Sequence, residues 1–404
     1  MCDREPDMES VTFLYRDRLT LARGHLCAAV WREIDPEGSG GEFPSTWADA
    51  EIVPEAERWK FQPADVRTEL VPCCPVEAPR LDWDDARGPA PELNARVLAE
   101  TWDPECLRRR LLPLVDGYRT WIADAEYRAA ALSGGDRDIA DSHLKRCREA
   151  ADRIAEAIDM LAADDMARLA FCFANQAMAM QAGWAGRDGL VWRPFQLAFV
   201  LLNLPPLVNP SHRHRRTCDL LWIPTGGGKT EAYLALAAFV LALRRLQARR
   251  CQKAGADQTG AGVGVISRYT LRLLTIQQFR RALAMITACE RLRVWGLDSP
   301  PGPVGWRPQD CPISDTFLWG GQRFSIGLWV GGSVAPNNLR GFTVKDQNGV
   351  LREVRGAVEI LKGVSRLPSA GQEGEPAQVL SCPCCGALLA VPDTGLGPGQ
   401  HTLH

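Results

Sequence analysis

Residues 218–243 read CDLLWIPTGGGKTEAYLALAAFVLAL, and they carry the strongest structural signal in the chain. An apolar run leads into three glycines, which are followed by Lys229, Thr230 and a long apolar stretch. Glycines let a backbone turn tightly and aim its N–H groups at a phosphate, and the start of the next helix adds the positive end of its dipole. The segment therefore predicts a strand, a phosphate-binding loop at 223–230 and a helix. The alternative is a glycine-rich turn that merely ends in Lys-Thr.

The loop predicts a role for individual residues. We expect Lys229 to reach the β- and γ-phosphates of ATP and the Thr230 hydroxyl to bind Mg²⁺, so these two are the predicted catalytic residues. Ile223 stands where such loops usually have Gly or Ala, and its side chain is therefore expected to point into the sheet. The complete predicted nucleotide-binding set is Gln196, Thr225, Gly226, Gly227, Gly228, Lys229, Thr230 and Glu231.

Strand and helix patterns alternate outward from the loop. A strand at 262–267, a second helix and a strand at 324–330 follow it, which is typical of a parallel α/β sheet. Upstream, apolar residues recur at helical spacing, although Pro113 is expected to kink or split one helix. We predict an α/β fold with an irregular segment at 1–87, a helical domain at 88–190, an incomplete RecA-like P-loop domain at 191–365, and a linker with half of a zinc knuckle at 366–404.

Composition narrows the class of protein. The 404 residues are 46% hydrophobic and 24% charged, with a formal net charge of -2. A folded protein is expected, in which any contact with nucleic acid depends on local basic patches. The polar, acidic N-terminus is not a signal peptide, so the 14 cysteines are expected to be reduced in the cytoplasm. The apolar runs 195–208 and 232–243 are too short to cross a membrane, and no membrane partner is predicted.

Segments on both sides of the loop match parts of helicase-like motors. Gln196 is a candidate reader of the adenine edge, because an amide both donates and accepts hydrogen bonds; the alternative is a polar residue that opens a core helix. Segment 267–281 lies where such motors hold a nucleic-acid backbone, and the alternative is a solvated basic face. Two glycines after the third strand predict a second backbone contact or an ordinary turn. The candidate nucleic-acid contacts are Arg268, Thr270, Arg272, Gly331 and Gly332.

The sequence SCPCCG at 381–386 has the spacing of a zinc-ribbon knuckle. Two residues separate Cys382 from Cys385, so both thiolates can face one ion, while Cys384 is expected to face away. His401 and His404 are weaker candidates, because His-x-x-His is tighter than the usual finger spacing. We predict Zn²⁺ at Cys382 and Cys385 with a second cysteine pair beyond the end of the chain. The alternative is an incidental cysteine cluster in a loop.

Three segments together resemble the helicase component of the DISARM bacterial anti-phage defence system. They are WRPFQLAFVLLNLP, DLLWIPTGGGKTEAYLALAAF and RYTLRLLTIQQFRRA, and the resemblance extends over roughly residues 65–390. It implies a superfamily 2 DNA helicase or translocase that uses ATP and Mg²⁺ and acts on foreign DNA. It also implies partner subunits, including a methyltransferase.

The resemblance is incomplete after Gly332. No Asp-Glu-x-His segment follows to hold Mg²⁺, and no second motor domain follows to supply an arginine finger. We therefore expect an N-terminal fragment, or a truncated gene product, that binds ATP and hydrolyses it poorly. Two other classes stay open, namely a non-catalytic P-loop scaffold and a small-molecule kinase. The Arg/Thr/Gln-rich segment 267–281 disfavours the kinase, which has no need of it.

Overall fold

The computed structural model describes residues 80–224, 226–250, 259–269, 272–296, 304–313, 315–332, 334–363, 367, 369, 374–392 and 401–403, with residue 13 and two short strands near the N-terminus. The chain divides into two compact units. One consists of Met1–Arg80 with Ala129–His143, and the other of Leu81–Arg128 with Leu144–His404.

The described part of the first unit is small. Strands β1 (Ala28–Val30) and β2 (Arg67–Glu69) pair antiparallel, with Ala28 opposite Glu69. The ring of Phe13 stands edge-on to that of His143, with 5.9 Å between centroids.

Helices make up most of the described chain. Because Asn94 and Asp164 accept hydrogen bonds from the first backbone N–H groups of the helices that follow them, they act as N-caps. The helix through Pro113 runs without a break, so the proline does not split it. In the parts that the structure describes, no helix combines the length and the apolar character needed to span a bilayer. The helices are α1 (Ala95–Glu100), α2 (Pro104–Ala129), α3 (Gly134–Ala163), α4 (Asp165–Trp184), α5 (Pro194–Val208), α6 (Lys229–Arg250), α7 (Arg272–Arg293) and α8 (Ala357–Leu361).

Helix α4 is the centre of the second unit. Fourteen of its twenty residues are buried, so it is apolar on nearly all sides, as a helix enclosed by others must be. It packs against α1, α6 and α7, and α5 packs against α6. The helix that begins at the glycine loop is therefore fixed along its length by the core.

The predicted parallel sheet is not observed among the described residues. Segments 218–223, 262–267 and 324–330 have no regular secondary structure. The described strands form three antiparallel pairs, which are β1–β2, β3 (Phe342–Lys345) with β4 (Leu351–Val354), and β5 (Ala390–Pro392) with β6 (His401–Leu403). The described fold is thus mainly helical. The segments predicted to form a RecA-like sheet are irregular, and that prediction is corrected here.

Arginine side chains from α6 explain part of this difference. Arg244 donates to the carbonyls of Val263 and Ala261, both at 2.8 Å, and Arg245 donates to the carbonyl of Thr259 at 2.8 Å. These carbonyls are satisfied by side chains and not by a neighbouring strand, so the chain lies along α6 without a ladder. Several apolar side chains on the three segments face solvent, with Leu220 82%, Ile266 79% and Trp329 98% exposed, whereas Phe324 is buried.

Candidate nucleotide-binding loop

Three glycines form the turn that precedes α6, and each is required for a different reason. Gly226 has a φ of +85° in open space, so only its backbone conformation disfavours a side chain. A Cβ on Gly227 would lie 2.3 Å from Ile223 Cγ2. Gly228 combines both restrictions, with a φ of +93° and Gln196 Nε2 2.6 Å from the position of a Cβ. The predicted tight turn is therefore present, closed by a 3.0 Å bond from Gly227 N–H to the carbonyl of Pro224.

Lys229 is the first residue of α6 and folds back over the turn. Its Nζ donates to the carbonyl of Ile223 and, at 3.2 Å, to that of Pro224. Both partners are neutral, and Lys229 makes no ion pair within the described residues. Thr230 follows on the first turn of the helix and is half-buried. Thr225, also predicted for this site, lies outside the described residues.

Residues at the start of α5 hydrogen-bond to the glycine turn. Buried Gln196 accepts from Arg193 N–H through Oε1 at 2.8 Å and donates from Nε2 to the carbonyl of Gly228 at 2.7 Å. Arg193 Nη1 donates to the carbonyl of Gly227 at 2.8 Å. The structure thus brings Gln196 to the predicted loop, where both of its polar atoms bind protein groups. Its reading of adenine stays a prediction. Arg193 was not among the predicted site residues.

Glu231 is a buried carboxylate beside the turn. Its Oε1 accepts from Arg281 Nη2 on α7 at 2.5 Å, and Arg187 Nη1 lies 3.7 Å from the same oxygen. Its Oε2 is buried and has no hydrogen-bond partner among the described residues; it lies 3.5 Å from the position that a Cβ on Gly228 would take. The free oxygen therefore borders the glycine turn. The two arginines lie far from Glu231 in sequence, so the spacing of residues could not identify them.

A buried ion pair anchors the segment that leads into the loop. Arg153 on α3 binds Asp219 through two hydrogen bonds of 2.7 Å and reaches the carbonyl of Leu202 on α5 at 3.3 Å. Both side chains are largely buried. Two planar groups that meet in this way fix orientation as well as distance. Residues near 219 are therefore held to both helices.

Two histidines lie in the loop before Asp219. His212 Nε2 lies 3.0 Å from Glu156 Oε1, and this hydrogen bond lowers the pKa of Glu156. The pKa of His214 is also lowered, first by burial and then by the positive charges of Arg153 and Arg213. The loop thus favours neutral His214 and ionised Glu156.

The predicted nucleic-acid contacts are only partly described. Arg268 is exposed, whereas Thr270 and the side chain of Arg272 lie outside the described residues. Gly331 starts a turn in which its carbonyl accepts from Val334 N–H at 2.9 Å, and a Cβ on Gly332 would lie 2.7 Å from Asn337 Nδ2. No described contact joins these glycines to the loop before α6.

The predicted metal ligands lie on a separate turn. Cys382 is half-buried and Cys385 is exposed. The side chain of His401 and the whole of His404 lie outside the described residues. Among the side chains that the structure does describe, no group of three or more His, Cys, Asp or Glu is placed to hold a metal ion.

The chain is similar over most of its length to a bacterial protein. No family model matches the chain. The chain is 31% identical over 399 residues to "DISARM protein DrmA" of Bacillus paralicheniformis, a match that covers 93% of this chain and 30% of the relative. The chain is therefore similar to a DISARM protein over most of its length, as the resemblance of its segments implied, and it spans about a third of the length of that relative.

Proposed function

We propose that the chain binds ATP with Mg²⁺ at the loop before α6, as the nucleotide-binding part of a superfamily 2 DNA helicase or translocase in an anti-phage defence system. The observation that carries the proposal is the glycine turn at the start of α6, with Lys229 as the first residue of that helix. The relationship to a DISARM protein supports the biological setting. In this proposal the chain is an N-terminal fragment of a longer motor.

The groups at the turn fit a polyphosphate. Gly226 and Gly228 have the positive φ values that let successive N–H groups face one anion. Among the described residues, the ammonium group of Lys229 is bound to neutral carbonyls. It can therefore move onto a phosphate without breaking an ion pair to any of them. The 22 residues of α6 add a helix dipole whose positive end faces the turn.

The residues have separable tasks in this proposal. Lys229 neutralises phosphate charge, and Thr230 supplies a hydroxyl for Mg²⁺. Gln196 and Arg193 hold the carbonyls of Gly228 and Gly227, which fixes the shape of the turn. The Gly227 N–H is bonded to the carbonyl of Pro224 and would have to leave it to reach a phosphate. ATP supplies the driving force of the motor, and these side chains bind and orient it.

The finer architecture belongs to the same proposal. Although the three segments predicted as strands are irregular in the described structure, Leu220, Ile266 and Trp329 on them are exposed. In this proposal a RecA-like parallel sheet in the longer motor would bury such side chains, which would favour it. DNA would then lie along Arg268, Thr270, Arg272, Gly331 and Gly332, and other defence subunits, including a methyltransferase, would act with the motor.

One observation favours a second function, that of a nucleotide-binding scaffold without catalysis. Glu231, the buried carboxylate beside the glycine turn, is already bound by Arg281. Motors of this class need an acidic residue to hold Mg²⁺ and orient water. A chain that binds ATP and never turns it over would match this alternative.

Titration of the chain with a fluorescent ATP analogue in Mg²⁺ tests the proposal. Lys229→Ala should weaken binding about 100-fold, because charge-assisted hydrogen bonds to phosphate are lost. Lys345→Ala is the matched control, since Lys345 is exposed on β3 and should leave affinity unchanged. Equal affinity of wild type and Lys229→Ala would reject nucleotide binding at this loop.

ATP turnover with and without DNA then separates the two functions. If the protein is a motor, duplex or single-stranded DNA should increase its rate of ATP turnover. The rate is measured in a protein as long as the relative. Tight binding with no turnover under any DNA condition would favour the scaffold.

A further inference from the structure

The segment 380–389 forms a short hairpin that the nucleotide-binding proposal does not use. Cys382 N–H donates to the carbonyl of Ala387, and Leu389 N–H to that of Leu380, both at 2.8 Å. Between them the Gly386 N–H donates to the carbonyl of Cys382 at 2.9 Å, with a φ of +72° at Gly386. These bonds place Cys382 and Cys385 on the same tight turn.

Backbone groups inside this turn point at the sulfur of Cys382. The N–H groups of Cys385 and Cys384 hydrogen-bond to the Cys382 sulfur.

We propose that Cys382 and Cys385 bind one thiophilic divalent cation of the Zn²⁺ class, and that Cys384 is not a ligand. Thiolates two residues apart on a turn, with N–H groups directed at sulfur, form half of a tetrahedral Zn²⁺ site. Both ligands are accessible, with Cys382 half-buried and Cys385 exposed.

The described residues supply two ligands to this site. No third His, Cys, Asp or Glu suited to coordination lies beside the pair within the described ranges. Water or an added thiol can occupy the other positions of the tetrahedron. Affinity should rise with added thiol, because thiolate is a stronger Zn²⁺ ligand than water.

Titration of the reduced chain with Co²⁺ tests this site, with the thiolate-to-cobalt absorption as readout. Cys382→Ser and Cys385→Ser should each weaken binding at least about tenfold, since a hydroxyl does not replace a thiolate ligand. Cys384→Ser is the matched control from the same turn and should change affinity less than about twofold. Far-ultraviolet circular dichroism checks that each variant remains folded.

Alkylation mapped by mass spectrometry gives a second readout that does not depend on the folding of any variant. Zn²⁺ should protect Cys382 and Cys385 of the wild-type chain and leave Cys384 reactive. The proposal is overturned if no thiolate–cobalt band arises from these two residues, if Cys384→Ser weakens binding as much as the other changes, or if Zn²⁺ protects Cys384 equally.

Discussion

Arg281 on α7 binds the carboxylate of Glu231 on α6, with 2.5 Å between Nη2 and Oε1. Glu231 follows Thr230 directly, and α7 begins at Arg272, inside the segment 267–281 predicted to contact DNA. Gln181 on α4 also donates to the carbonyl of Arg281 at 2.8 Å. One ion pair therefore links α6, which begins at the glycine turn, to α7, which carries predicted DNA contacts. Helix α4 in turn holds the backbone of Arg281.

Arg281→Met should destabilise the chain by about 1–3 kcal/mol, because it leaves the buried Glu231 carboxylate with only Arg187 nearby. The lower part of this range is expected, since the Arg281 side chain is 33% exposed. Urea unfolding measures the change. Adding Glu231→Gln should recover part of the loss, and Arg280→Met, an exposed neighbour on α7, should have little effect. Equal losses for Arg280→Met and Arg281→Met would contradict a role for the pair.

Alanine substitutions in the glycine turn should lower the stability of the chain, and the loss should be larger where the glycine is more restricted. Gly226→Ala should cost about 1 kcal/mol, since only a positive φ opposes it. Gly228→Ala should cost about 2 kcal/mol or more, because strain is joined by a collision with Gln196. Thermal unfolding gives the stabilities, and the ATP analogue gives the accompanying loss of affinity. A reversed order would show that Gln196 does not lie against Gly228.

The Arg153–Asp219 pair should be far more sensitive to substitution than an exposed pair between α2 and α3. Arg153→Met leaves a mostly buried carboxylate and should cost about 3 kcal/mol. Arg119 forms a comparable 3.0 Å contact with Asp152, but the two side chains are 52% and 65% exposed, so Arg119→Met should cost less than about 1 kcal/mol. Denaturant unfolding of both variants makes the comparison, and similar costs would argue against burial as the cause.

Stability should fall as the pH is lowered from 7 to 5, in part because of His214. Its pKa is lowered by burial and by Arg153 and Arg213 from an ordinary value of 6.5, so the unfolded chain binds the proton more readily. Its contribution is present above that pH and is lost as the pH falls through the folded pKa. Glu156, whose pKa is lowered from 4.5 by His212, loses its contribution at more acidic pH.

Substituting each residue separates the two steps. His214→Gln should flatten the free energy of unfolding between pH 7 and 5, and Glu156→Gln should flatten only the more acidic part. An unchanged slope in His214→Gln would assign the pH dependence to other groups.

Local signals in the sequence identified the helices and the turn. Apolar spacing and the run of Gly226, Gly227 and Gly228 before Lys229 act within a few residues, and α6 indeed begins at Lys229. The prediction of a parallel sheet was wrong for the described residues. Alternating apolar residues mark a segment that can become a strand, but they do not provide a neighbouring strand for it to pair with. Within the predicted strand 262–267, Arg244 takes up the carbonyl of Val263, which a neighbouring strand would have needed.

The partners within the site depended on contacts over long sequence separations. Gln196 was chosen as a base reader, yet its bond to the Gly228 carbonyl spans 32 residues. Arg281 lies 50 residues from Glu231, and Arg153 lies 66 residues from Asp219. Such pairs are set by how helices pack, and a single sequence carries no local pattern for them.

The solvent-facing indole of Trp222 gives the chain an intrinsic optical probe. Trp222 is 78% exposed and stands two residues before Pro224, whose carbonyl helps to close the glycine turn. Trp192 and Trp319 are enclosed in the core and emit from an environment that ligands do not reach. Acrylamide should therefore quench mainly the exposed fluorophores, and a nucleotide that reorders the turn should change the emission of Trp222 without any added label.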